Sequence, residues 1–204
     1  MISYLRDPDE IYRRSFAAIR AEADLAALPP ALQGVAVRMI HACGMTDIVA
    51  DLRWSPDFAG RARGALAEGV HVITDARMVA DGIVSPDLRA GRIACVLDDA
   101  PVAKDQATTR TAAALASRPD LSGNVIVIGN APTALFRLLE LIDEGAAHPA
   151  AIIGLPVGFV GAAESKAELA ANPRGIPFLT LLGRRGGSAM AAAAVNALTL
   201  REPS

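Results

Sequence analysis

Short, largely apolar runs alternate along this chain with longer stretches of helical periodicity, and that alternation decides what it can fold into. The runs are Val70–Thr74, Ile93–Leu97, Val125–Ile128, Ala151–Gly154 and Ile176–Leu182. Between and after them, helices are predicted near Asp57–Glu68, Lys104–Ser117, Pro132–Glu144, Ala162–Ala171 and Ser188–Leu198. A strand that is apolar on both sides of its pleat must be covered on both faces, and helices between such strands supply the covers. The fold class is therefore α/β: a mostly parallel five-stranded sheet with helices on both faces.

An N-terminal helical pair precedes the sheet. Asp7-Pro8-Asp9-Glu10 combines an N-cap, a proline at the first helical position and a carboxylate three residues after the cap, so a helix is predicted from there to about Ala27. Pro29-Pro30 opens a second helix whose apolar stripe is Leu32, Val35/Ala36, Met39 and Cys43. The expected organisation is a single domain over 1–204, with helices in 1–45 and the sheet and its covering helices in 46–204. A chain of 204 residues buries roughly 70% of its unfolded surface on folding, enough for a core without disulfides or a structural metal. With 42 alanines and only 4% aromatics, that core must rely on close backbone approach.

Charge narrows the function classes. A net charge of −2 lacks the basic excess of a nucleic-acid binder. The basic residues are 18 Arg against 2 Lys, which suits bidentate recognition of carboxylates or phosphates and equally fits a GC-rich coding sequence. Cys43 and Cys95 have no metal-ligand spacing, and His41, His71 and His148 are too scattered for a metal cage, so buried reduced thiols and no metal are expected. Residues 1–8 show no signal-peptide pattern, and the uncharged run 148–163 is broken by glycines and a proline. A cytoplasmic protein with no membrane span is the expectation.

In open α/β sheets, ligands bind beyond the carboxyl ends of the strands. The unusual segments fall there: Thr74-Asp75, Gly129-Asn130-Ala131-Pro132-Thr133, Gly154-Leu155-Pro156-Val157-Gly158, and Gly183-Arg184-Arg185-Gly186-Gly187-Ser188. His41 lies about 180° around its helix from Leu32, away from the core stripe, with Arg38 three residues before it. It reads either as a surface histidine or as one facing a ligand or second subunit. Asn130 or Thr133 could cap the helix that follows, and free N–H groups at its start would attract an anion. Lys166 reads as a solvated helix lysine or an anion partner, and Arg110 and Arg184 are each a surface charge or a ligand contact. No Walker, dinucleotide or nucleophile-triad pattern is present.

Taken in order, Ile11–Ile19 (IYRRSFAAI), Arg38–Gly44 (RMIHACG), Thr74–Gly82 (TDARMVADG), Thr109–Ala114 (TRTAAA), Gly129–Leu135 (GNAPTAL), Gly154–Lys166 (GLPVGFVGAAESK) and Gly183–Leu198 (GRRGGSAMAAAAVNAL) resemble the precorrin-8X methylmutase family of cobalamin biosynthesis. The resemblance implies a cofactor-free isomerase that moves a methyl group from C-11 to C-12 of precorrin-8X to give hydrogenobyrinic acid. It places the family's histidine on His41, as general acid toward the macrocycle. The substrate's carboxylates would meet Arg110, Arg184, Lys166 and the N–H groups after Gly129. Ser15 would donate a hydrogen bond, and Arg38, Asn130, Thr133, Gly158 and Ser188 would complete the binding surface. A homodimer with the pocket near the subunit contact is also implied, with possible transient contacts to neighbouring enzymes of corrin synthesis. Three alternatives stay open: a cobalt-loaded substrate, a tetrapyrrole carrier without chemistry, and a nucleotide-binding enzyme using Gly154–Gly161.

Overall fold

The computed structural model describes Ile2 and residues 4–98, 108–118 and 121–200. In chain order the elements are α1 (Pro8–Glu22), α2 (Pro30–Cys43), β1 (Leu52–Trp54), α3 (Phe58–Glu68), β2 (Val72–Thr74), α4 (Arg77–Gly82), α5 (Pro86–Arg89) and β3 (Ile93–Cys95). Then follow α6 (Arg110–Ala116), β4 (Val125–Ile128), α7 (Pro132–Asp143), β5 (Ala151–Gly154), α8 (Ala162–Ala171), β6 (Phe178–Leu181) and α9 (Ser188–Thr199). Short 3₁₀ turns cover Leu25–Ala27 and Thr46–Asp51.

The sheet has six strands in the order β1-β6-β5-β4-β2-β3. All neighbours run parallel except β1, which pairs antiparallel with β6 through Leu52↔Leu181 and Trp54↔Leu179. The five expected strands are all present, and β1 is the addition. Three residues of which one is the exposed Arg53 carry too little periodicity to read as a strand; β1 exists because β6 offers it an open edge. The expected first helix stops at Glu22, with Ala23 in extended conformation, and a 3₁₀ turn continues to Ala27. Positions 104–107, at the start of the helix expected over Lys104–Ser117, lie outside the described residues; α6 begins at Arg110.

Strand side chains alternate between two cores, as the two-residue period requires. Val72, Val125, Val127, Ala151, Ile153 and Leu179 face α2, α3 and α9, with α1 packed outside α2. Ile73, Ile126, Ile128, Ile152 and Phe178 face α6, α7 and α8. Alanine makes the first layer close: Ala36, Ala191 and Ala194 have no exposed surface, and α2 lies against α9 along its length. At Gly129 a Cβ would meet Val79 at 2.7 Å, Ala191 at 2.8 Å and the Ser188 backbone at 3.1 Å, so only glycine lets the end of β4 touch α9.

Candidate active site

α2 brings His41 to the surface in its last turn. Gly44, at φ 71°, ends the helix and donates its N–H to the Ile40 carbonyl at 2.7 Å, which fixes where that turn stops. His41 is exposed while Met39 and Ile40 are buried, so the histidine faces away from its own core as expected. α1 lies across it. Ser15 Oγ is 2.8 Å from His41 Nδ1. Tyr12, one turn before Ser15, and Phe16, the residue after it, place their rings 5.2 and 5.4 Å from the imidazole.

This contact settles the imidazole's geometry. A hydroxyl can donate to a bare Nδ1 or accept from Nδ1–H, so Ser15 stays bonded in either state of the ring. Nε2 is the nitrogen left to act on another molecule. His41 borders a cavity of about 280 Å³ lined also by Tyr12, Arg38, Ala42, Gly82, Val84, Ala189, Ala192, Ala193 and Asn196. Arg38 reaches the same cavity, its guanidinium 5.6 Å from the Phe16 ring centre. The wall opposite α2 is the alanine face of α9. Asn196 closes one end by donating to the Gly82 carbonyl and accepting from the Val84 N–H, both at 2.9 Å. Of the sequence candidates, Ser15, Arg38 and His41 are therefore brought together. Tyr12, Phe16 and Asn196 were missed; the i, i+3, i+4 spacing of Tyr12, Ser15 and Phe16 on α1 is the signal that could have found two of them.

The remaining candidates gather on the carboxyl edge of the sheet. Thr109 caps α6 by accepting the Ala112 N–H at 3.3 Å and bonds Thr133 Oγ1 at 2.7 Å, which sets the exposed Arg110 beside the start of α7. The Gly158 N–H donates to the Arg184 carbonyl at 3.2 Å, and Arg184 is exposed with its guanidinium 5.0 Å from the Phe159 ring centre. Asn130 is exposed, whereas Ser188 is largely buried in the first turn of α9, one residue before the cavity-lining Ala189.

Two expectations need correcting here. The N–H groups after Gly129 do not wait for a substrate anion, and neither Asn130 nor Thr133 caps α7. Asp75, at the end of β2, takes them: its carboxylate accepts from Gly129 at 2.8 Å, Asn130 at 2.9 Å and Ala131 at 2.7 Å. Asp75 is 1% exposed. Burial pushes its carboxyl up, and the three amides pull it back by bonding the charged form. The sequence flagged Thr74-Asp75 only by position; an internal anion for the helix start could not be told from a ligand.

Lys166 is the second. It is neither solvated nor presented to a ligand: its side chain has no exposed surface, and its ammonium donates to the Arg185 carbonyl. Burial lowers it from 10.5 to about 8, with Asp51 pulling the other way. Between those two values the unfolded chain holds a proton that the folded chain lacks, so raising the pH favours the folded state. Relative to Lys166→Met, the wild type is expected to gain roughly 3 kcal/mol of stability from pH 8 to 10.5. Denaturant melts of both proteins across that range check this, and parallel pH curves would show the lysine titrating normally.

Both cysteines are free, Cys95 buried and Cys43 half-buried, and burial raises each thiol. Among the described residues no cluster of histidine, cysteine, aspartate or glutamate could hold a metal, and no helix is long and apolar enough to cross a membrane.

A family model described as precorrin-8X methylmutase matches residues 10–200. A protein of Pseudomonas aeruginosa named precorrin-8X methylmutase is 58% identical over 97% of this chain and 98% of its own length. A protein of Priestia megaterium named cobalt-precorrin-8 methylmutase is 35% identical over 95% of this chain and 88% of its own length. Among solved structures, a crystal structure of precorrin-8x methyl mutase from Thermus thermophilus superposes with a TM-score of 0.82 at 35% identity, covering 93% of this chain and 94% of that one.

Proposed function

Since the chain belongs to the precorrin-8X methylmutase family, an isomerase family of cobalamin biosynthesis, we propose that it converts precorrin-8X to hydrogenobyrinic acid by moving a methyl group from C-11 to C-12, with His41 as general acid. The observation that carries this reading is the pairing of His41 Nδ1 with Ser15 Oγ at 2.8 Å beside a cavity. A methyl shift within one molecule needs no group donor and no net redox change. It needs a rigid wall to hold the ring and a proton that makes the conjugated system more electron-poor.

The steps balance on His41 alone. The imidazolium gives its Nε2 proton to the macrocycle, and the neutral ring keeps Nδ1–H, which donates to Ser15. The methyl group migrates within the protonated macrocycle, and Nε2 takes a proton back, leaving substrate and product as isomers. The alanine face of α9 offers a flat wall against which a macrocycle can lie. Arg38, Arg110 and Arg184 would meet its carboxylates, with Asn130, Thr133, Gly158 and Ser188 shaping the edge around them.

The metal-free substrate is favoured over the cobalt-loaded one. The relatives from Pseudomonas aeruginosa and Sinorhizobium named for the metal-free compound are 58% and 52% identical, against 35% for the cobalt-precorrin-8 protein from Priestia megaterium. A homodimer fits the exposure of Phe159 (84%) and Val160 (88%) on the loop after β5, which a second copy would cover; sedimentation equilibrium at monomer mass would remove it. Function in the cytoplasm and brief contacts with neighbouring pathway enzymes go with such a role.

The assay mixes purified protein with precorrin-8X and no added cofactor and follows the visible absorbance change to product. Turnover is expected, and Arg110→Ala and Arg184→Ala should each raise KM about tenfold, the loss of one charged contact. Binding with no turnover would instead support a carrier.

A further inference from the structure

Two adjacent arginines on the loop between β6 and α9 have opposite roles. Arg184 points outward, whereas the partly exposed Arg185 is turned to the protein's own carboxylates, bonding Asp47 at 2.7 Å and Asp51 at 2.6 Å. Both aspartates belong to the 3₁₀ turn that directly follows α2, the helix that carries His41. From the other side, the backbone carbonyl of the same Arg185 accepts from the buried Lys166 ammonium of α8. A charge with no exposed surface is costly unless it is bonded, and this one is aimed at a single loop carbonyl.

The loop is fastened on a third side to the segment after β5. Gly187 N–H donates to the Leu155 carbonyl at 2.8 Å, and Gly158 N–H donates to the Arg184 carbonyl at 3.2 Å. A Cβ at Gly186 would lie 2.3 Å from the Leu155 oxygen and 2.6 Å from that of Pro156, so no larger residue lets the two backbones meet. Phe159 flanks the one outward guanidinium at 5.0 Å.

We propose that Lys166 and Arg185 are positioning residues: they lock the loop Gly183–Ser188 to the turn after α2, and so hold Arg184 at a fixed place relative to His41. The proposal rests on the reading of Arg184 as a partner for a substrate carboxylate. Lys166 acts on substrate affinity through that arginine, although it touches no substrate itself. The arrangement has a physical logic. A macrocycle held by its rim acidic groups is placed correctly over a proton donor only if the rim contacts and the donor belong to one rigid body. α2 and the Gly183–Ser188 loop are far apart in sequence, and Arg185 is the charged link between them.

The test is a double-substitution cycle on the full chain with precorrin-8X as substrate. Lys166→Met keeps the stem of the side chain as far as Cε, is apolar in a buried place, and removes the ammonium donor. It is expected to raise KM about tenfold with kcat within about threefold, and to leave the unfolding midpoint within about 4 °C of wild type at pH 7. Combined with Arg184→Ala, it should add less than threefold to KM, because its effect passes through Arg184. Asp51→Asn, which loosens Arg185 from a half-exposed carboxylate, should show the same KM-weighted signature, and it carries the test should Lys166→Met fail to fold. A full tenfold addition in the Arg184→Ala background overturns the positioning role, as does an unchanged KM in Lys166→Met or, should that variant not fold, in Asp51→Asn. An unchanged KM in Arg184→Ala alone overturns the carboxylate reading, and the positioning role with it.

Discussion

Replacing His41 by alanine is expected to lower kcat by about 10²–10⁴ while leaving tetrapyrrole binding within a few-fold of wild type. The separation of these effects follows from the site. His41 contributes one ring to a cavity with nine other lining residues, and in the proposed reading binding is spread over those and over Arg110 and Arg184 on the sheet edge. In the proposed mechanism proton delivery depends on Nε2 alone, since Ser15 occupies Nδ1 at 2.8 Å. His41→Asn should lose as much turnover, because an amide can hydrogen-bond but cannot yield a proton near neutrality. Stopped-flow absorbance with saturating precorrin-8X gives kcat, and quenching or spectral titration gives affinity. A variant with wild-type turnover would remove His41 from the mechanism.

The largest effect on stability is expected at Asp75. Its carboxylate satisfies three backbone N–H groups at the end of β4 and the start of α7, in a place only 1% exposed. Asp75→Asn keeps the volume but leaves one acceptor oxygen and turns an NH₂ group toward an N–H. Leaving buried donors unpaired is expected to cost about 3 kcal/mol, or roughly 6–12 °C in Tm for a domain of this size. The damage should extend to catalysis, because Gly129 in the same turn lies against Ser188 and Ala191 of α9, the helix that walls the cavity. Thermal unfolding by circular dichroism measures the first effect. A midpoint within 2 °C of wild type would show that water replaces the carboxylate without cost.

The sheet was legible because its strands are apolar on both sides, a pattern that few other environments produce. Val125–Ile128 and Ala151–Gly154 have the same limits in the sequence and the structure, and α8 spans Ala162–Ala171 in both. β1 was not legible, since three residues at a sheet edge take their conformation from the partner strand. In α2, helical geometry alone turned His41 outward, and the structure agrees. Which residues meet across the fold was harder to read. Lys166 and Asp75 are polar residues in segments that end strands or open helices, where a ligand and an internal partner leave the same trace. Only tertiary structure assigns the Gly129 amides to Asp75 and the Lys166 ammonium to Arg185.

Of the cavities lined by the described residues, the two larger ones compete for a large planar ligand. The larger, about 450 Å³, opens at the amino ends of the strands among Gly60, Arg61, Gly64, Gly123 and His148, and contains neither His41 nor any of the edge arginines. The smaller holds His41. A structure of the protein with hydrogenobyrinic acid bound decides between them. The corrin face is expected against Ala189 and Ala193, with His41 Nε2 turned toward the ring and a side-chain carboxylate on Arg184. A corrin seated beside Gly60 and His148, with His41 in contact with nothing but Ser15 and its neighbouring rings, would contradict this expectation.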